Sequence, residues 1–115
     1  MHFSGTDAQA FLQGQLTCDV AALQAGNSTY GGYCTPKGRL LATFVMWRSA
    51  EDEILLACSA DLLPATLKRL SMFVLRAKCE LSDASTDLPL FGLAGPQATA
   101  WLAEAAPNAV WDRRE

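Results

Sequence analysis

The sequence predicts an α+β domain, built from a β-α-β crossover and an added β-hairpin. Three observations predict it. Period-two alternation dominates residues 28–58, apolar residues recur at helical spacing over 8–20 and 63–74, and turn residues separate these runs. Composition permits such a fold. The 115 residues are 50% hydrophobic and 18% charged, which excludes a disordered chain. That length predicts one domain spanning 1–115. Twelve acidic residues against nine basic ones leave a net charge of −3 and a pI near 5.0. Such a balance supplies no general attraction to nucleic acid or anionic lipid.

The elements follow in order. Gly5-Thr6-Asp7-Ala8 opens the first helix, with Thr6 or Asp7 as its N-cap. Ala8, Phe11, Leu12, Leu16 and Val20 form its apolar stripe, which Gly14 weakens in the middle. Thr17 to Val20 ends the helix or adds a short turn. Almost no strand is expected before Gly5. Ser28 to Thr35, rich in Thr and Tyr, reads as a strand. Pro36-Lys37-Gly38 turns the chain, because proline presets φ and glycine tolerates positive φ.

Arg39 to Arg48 returns as a long strand. Leu40, Ala42, Phe44 and Met46 share one face; Leu41, Thr43, Val45 and Trp47 share the other. Both rows are largely apolar, so the strand is expected to be covered on both sides. Ser49 to Asp52 closes a second hairpin into the strand Glu53–Cys58. Asp61 is placed to cap the next helix, with Pro64 in its first turn and Leu63, Leu67, Leu70 and Val74 as its stripe. Lys78 to Ser82 and Leu90 to Ala94 read as strands. A last helix carries Ala98, Trp101, Leu102 and Ala105 and ends at Pro107-Asn108. Val110-Trp111 starts another strand. The sum is an α+β fold with a ferredoxin-like portion that looks incomplete.

Cys18, Cys34, Cys58 and Cys79 lie 15 or more residues apart, and His2 is the single histidine. A structural zinc site needs closely spaced ligand pairs, so none is expected. Scattered thiols also argue against ligation of an iron–sulfur cluster. The expectation is reduced, buried thiols in a cytoplasmic protein. No window holds 18 uninterrupted apolar residues, so no membrane span is expected. A Ser/His or Cys/His dyad is improbable with one histidine near the terminus. Neither a GxGxxG nor a GxxxxGK[ST] loop occurs. Phe73 and the three tryptophans are expected in the core. Lys37-Gly38-Arg39 reads first as a polar turn. Its second reading is a pair of cations that could grip a carboxylate or phosphate tail.

Three strings taken together resemble a known family. They are Gly5-x-Asp7-Ala8-x-x-Phe11-Leu12-Gln13-Gly14-Gln15-Leu16-Thr17-x-Asp19-Val20, then Pro36-Lys37-Gly38-Arg39, then Arg76-x-Lys78. They resemble the N-terminal part of YgfZ-type folate-binding proteins, in the superfamily of the glycine-cleavage T-protein, an aminomethyltransferase. The resemblance covers roughly residues 3 to 105. It implies the N-terminal folate-binding-type domain of a larger parent whose three parts ring a central folate site. It implies tetrahydrofolate, or a folate derivative, as ligand. It also implies a role in assembling or repairing iron–sulfur clusters, and through that in tRNA modification. Iron–sulfur proteins or their assembly machinery are the implied protein partners, with no direct nucleic acid and no membrane.

The family's KGCYxGQE string is not present, so the chain is expected to be a piece of that parent. In the aminomethyltransferases the strand after Gly-Arg carries an Asp pair, where this chain reads Ala42-Thr43. They place Asn-Ala after the next strand, where this chain reads Cys58-Ser59. By position, Thr43 and Cys58 are implied near the folate, and Lys37 and Arg39 at a polar rim meeting a polyglutamate tail or a partner. No catalytic or metal-binding residue is assigned. Two alternatives stand beside this reading: a folate-dependent aminomethyltransferase, which the lost Asp pair disfavours, and a non-catalytic interaction domain.

Overall fold

A computed structural model describes residues 1–105. Its elements are β1 (His2–Ser4), α1 (Ala8–Gln15), β2 (Ser28–Cys34), β3 (Leu40–Ala50), β4 (Glu53–Ala57), α2 (Leu63–Met72), β5 (Glu80–Ser82) and α3 (Ala98–Ala105). The five strands form one sheet in the order β2-β3-β4-β1-β5, antiparallel at every junction. Both β4 and β5 run against β1, so they are parallel to each other with β1 between them. The expected β-α-β crossover is therefore a split one.

β1 corrects the expectation of almost no strand before Gly5. Three residues suffice because both backbone edges are paired: Phe3 faces Ile54 on one side and Leu81 on the other. Phe3 is fully buried, so a short segment contributes a large apolar side chain to the core. Met1 extends the pairing, its carbonyl accepting from Leu56 N at 2.9 Å.

The core lies on one sheet face. Phe3, Phe44, Met46, Ile54 and Leu56 meet Leu12 from α1 and Leu63 and Leu70 from α2. The other row of β3 differs from expectation. Thr43 is exposed and Leu41, Val45 and Trp47 are half-buried, so no element among the described residues covers that face as the core face is covered. β-branched and aromatic residues suit a pleated strand whether or not they are buried. Leu55 is the buried exception on that face, lying in register between Trp47 and His2.

Arg48 closes the core row. It is 8% exposed and finds carbonyls rather than a carboxylate. Its Nε donates to Leu23 O at 2.7 Å, Nη1 to Glu51 O at 2.5 Å and Nη2 to Gln9 Oε1 at 2.7 Å. A buried cation needs such partners. Here it ties α1, the loop after it and the β3–β4 turn to one point.

Other expectations change in detail. α1 ends at Gln15, and Leu16 leaves it to bridge Tyr33 on the edge strand β2. Asp7 occupies the N-cap position without capping through its side chain, and Leu62 rather than Asp61 is the N-cap of α2. β5 begins at Glu80 instead of Lys78. Leu90 to Ala94 forms no strand and its large residues are exposed, so alternation alone found no pairing edge there. Phe73 and Trp101 are exposed and Trp47 half-buried, against the expected core positions. α3 forms where expected but buries none of its residues. The Pro107-Asn108 terminus of that helix, Val110-Trp111 and the third tryptophan lie outside the described residues.

Candidate functional site

The quoted sequence strings resolve into hydrogen bonds. Gly5 has φ +126°, and a Cβ there would stand 2.1 Å from Lys78 O, so only glycine fits. Asp7 N donates to that same Lys78 O at 3.1 Å, while Asp7 Oδ2 accepts from Lys78 N at 2.8 Å. Gly5, Asp7 and Lys78 thus clamp the start of α1 to the entry of β5. Gln13 Oε1 accepts from Ala21 N at 2.9 Å and holds the loop after α1.

Thr17 carries that loop onto the edge of the sheet. Its Oγ1 accepts from Gly32 N at 2.9 Å and its N donates to Gly32 O at 3.0 Å. Glycine allows this approach without moving the neighbouring side chains. A Cβ on Gly32 would meet Leu40 Cδ1 at 2.9 Å and Thr17 Oγ1 at 3.3 Å, and one on Gly31 would meet Cys18 Sγ at 2.7 Å. Pairing by Leu16 and Thr17 also blunts the free edge of β2.

Beside this junction the open sheet face holds a shallow depression of about 570 Å³, lined by Thr17, Tyr30, Gly32, Leu40, Thr43 and Ala57 among others. None of its lining residues is a carboxylate. The lining combines apolar walls, the aromatic residues Tyr30 and Phe44, the hydroxyl-bearing Thr17, Thr43 and Tyr30, and glycine backbone. Such a surface takes a flat, largely apolar group and offers it a few polar contacts.

Of the residues singled out by sequence, Thr43 lines the depression. Its neighbour Ala42 does not; it is buried on the core face. Cys58 follows Ala57 directly but packs half-buried against the core cluster. Burial pushes its thiol above the ordinary value, as it does for Cys18 and Cys79. Lys37 and Arg39 are exposed at the β2–β3 turn, outside the lining. That turn is tight: Gly38 N donates to Thr35 O at 2.8 Å, Arg39 N to Thr35 Oγ1 at 3.1 Å, and Gly38 takes φ +83°. The four residues are therefore not gathered into one site. Sequence reasoning missed Thr17, Tyr30 and the Gly31-Gly32 pair. A doubled glycine inside a strand is a signal of close backbone approach that would have found them.

The fold and its site define a class: an α+β domain that packs helices on one face of an antiparallel sheet and offers a depression on the other. The chain belongs to the GCVT N-terminal domain family, whose profile matches residues 1–115. It is 33% identical over 106 residues to the tRNA-modifying protein YgfZ of Vibrio vulnificus, covering 92% of this chain and 32% of that protein. Against the tRNA-modifying protein YgfZ of Aliivibrio fischeri it is 32% identical over 98 residues, 85% of this chain and 30% of the relative. Among solved structures it resembles the glycine cleavage system aminomethyltransferase T from Bartonella henselae, with a TM-score of 0.73 and 26% identity over 90% of this chain and 28% of that one. The chain spans about a third of the length of the curated relatives it matches. The resemblance stated from the quoted strings and the α+β fold are both shown by these matches. No helix among the described residues is long and apolar enough to cross a membrane.

Proposed function

We propose that the chain is the N-terminal, folate-contacting part of a YgfZ-like protein. That protein supports iron–sulfur cluster assembly or repair in the cytoplasm and, through iron–sulfur enzymes, tRNA modification. One observation carries the folate reading: the depression on the open sheet face, with Thr43 and Thr17 among apolar walls, in a domain of this family. The ring system of tetrahydrofolate is flat and edged with hydrogen-bonding groups, which suits glycine backbone, an aromatic rim and the hydroxyls of Thr17, Thr43 and Tyr30. Thr43 has no charge to offer a folate nitrogen, and this favours binding over aminomethyl transfer. Lys37 and Arg39, exposed and outside the lining, are suited to the carboxylates of a polyglutamate tail. Cys58 is proposed near the site only through its place after Ala57, its own side chain packing against the core cluster. Iron–sulfur proteins or their assembly machinery are the partners proposed for the whole protein.

Titration calorimetry of tetrahydrofolate into the full-length protein tests the reading. Saturable heat that weakens in Thr43→Ala is expected. Absence of heat at near-millimolar ligand removes folate from the proposal. Iron–sulfur enzyme activity restored to a deletion strain by a variant unable to bind folate would favour the interaction-domain alternative.

A further inference from the structure

We infer that the outer side and C-terminal end of α2 form a docking surface for an acidic protein segment that presents an apolar face. The inference is independent of the folate reading, since this surface is not part of the depression. Lys68, Arg69 and Arg76 place three cations within nine residues of a chain whose net charge is −3, and the stretch 68–76 contains no acidic residue. None of the three makes an ion pair among the described residues. Arg69 Nε is buried and lacks a hydrogen-bond partner among them.

Apolar side chains stand among these cations. Met72 is 60% exposed, Phe73 45% and Leu75 87%. Leu75 also has φ +50°, the left-handed region that a residue with a Cβ occupies only at a steric cost. Glycine or asparagine is usual just past a helix end. A leucine held there, turned to water, gains no packing from its own chain. An open groove of about 640 Å³ runs along α2, lined by Leu63, Leu67, Lys68 and Met72 among others. One carboxylate, Asp83, also lines the groove, but it is engaged by Ser85, accepting from N at 2.9 Å and from Oγ at 2.5 Å.

Charge complementarity selects the occupant. Cations alone would suit a nucleic acid, but three large apolar groups among them would lose their water against phosphates with nothing gained. Anionic lipid is ordinarily read by clusters of about 4–8 Lys/Arg, more than the three cations here. A protein segment with carboxylates beside an apolar stripe satisfies both halves of the surface.

The probe is a labelled amphipathic peptide, leucine at helical spacing on one face and glutamate on the other, titrated into the full-length protein by fluorescence anisotropy. Saturable binding is expected, weakening with added salt. It should fall about tenfold or more in Arg69→Glu/Arg76→Glu. Leu75→Gly should also weaken it while melting no lower than the parent, because the strain is relieved. Lack of binding, or binding unchanged in these variants, overturns the inference. Binding to phosphatidylglycerol vesicles or duplex RNA in place of the peptide overturns it as well.

Discussion

Two rows of one strand behave differently. Along β3, Ala42, Phe44, Met46 and Arg48 are buried, while Leu41, Thr43, Val45 and Trp47 on the other face are half-buried or exposed. Their compositions are similar, yet one row holds the fold together and the other frames the depression. Location against helices α1 and α2 decides the role, since both contribute to the core cluster behind the first row. Stability should therefore be concentrated on one face and ligand recognition on the other.

The sharpest way to break this comparison is a pair of adjacent substitutions. Phe44→Ala empties a buried position and should cost about 3–5 kcal/mol, whereas Val45→Ala, one residue on, should cost under about 1 kcal/mol. Urea denaturation of both variants measures the difference, and equal losses would refute the assignment of faces. Gly5→Ala comes next. Its Cβ would strike Lys78 O on a backbone of positive φ, so a loss of about 3 kcal/mol is expected. Arg48→Met leaves Leu23 O, Glu51 O and Gln9 Oε1 without their donor, for a loss of about 1–3 kcal/mol. A Met variant as stable as the parent would show that packing, not hydrogen bonding, holds that corner.

Much of this contrast was legible in the residues. Period-two alternation placed Ala42, Phe44 and Met46 together, and helical spacing placed Leu63 and Leu70 inward, because burial of one face imposes those periods. The coverage of the second β3 row was not legible, because Val and Trp serve an exposed strand as well as a buried one. β1 escaped notice for a different reason. Its three residues carry no period, and only pairing with β4 and β5, distant in sequence, makes them a strand. Leu90 to Ala94 failed in reverse, with local alternation and no partner edge. At the site, Thr43 was reached by resemblance, while Thr17 and Gly32 depend on a close approach across 15 residues. Arg48 reads as the end of a strand; nothing local signals that it gathers four carbonyl-type acceptors, Val20 O at 3.4 Å being the fourth.

Thr43→Ala tests the open row itself. Global stability should stay within about 0.5 kcal/mol, as for an exposed position without special contacts. Tetrahydrofolate affinity should weaken about two- to tenfold, the worth of one hydrogen bond. A stability loss resembling that of Phe44→Ala would mean the depression is part of the core after all.

The smallest effect concerns the thiols and carries a definite sign. Burial raises Cys79, with the nearby Asp7 carboxylate pushing the same way; burial also raises Cys18 and Cys58. The folded state thus prefers the neutral thiol more strongly than the unfolded state does. That preference is fully present below the unfolded value near 9.0 and is lost as pH rises through the raised folded values. Stability should be level across neutral pH and decline above about pH 9. Cys79→Ala should flatten part of that decline, and thiol alkylation in the folded protein should run slower than for a free cysteine at the same pH. Cys79 packs in the cluster behind the core row, so its alkylation should follow global unfolding. A fast-labelling Cys79 would mean that the β5 end of the core opens locally, and the division between a stable face and a receptive one would then fail at that edge of the sheet.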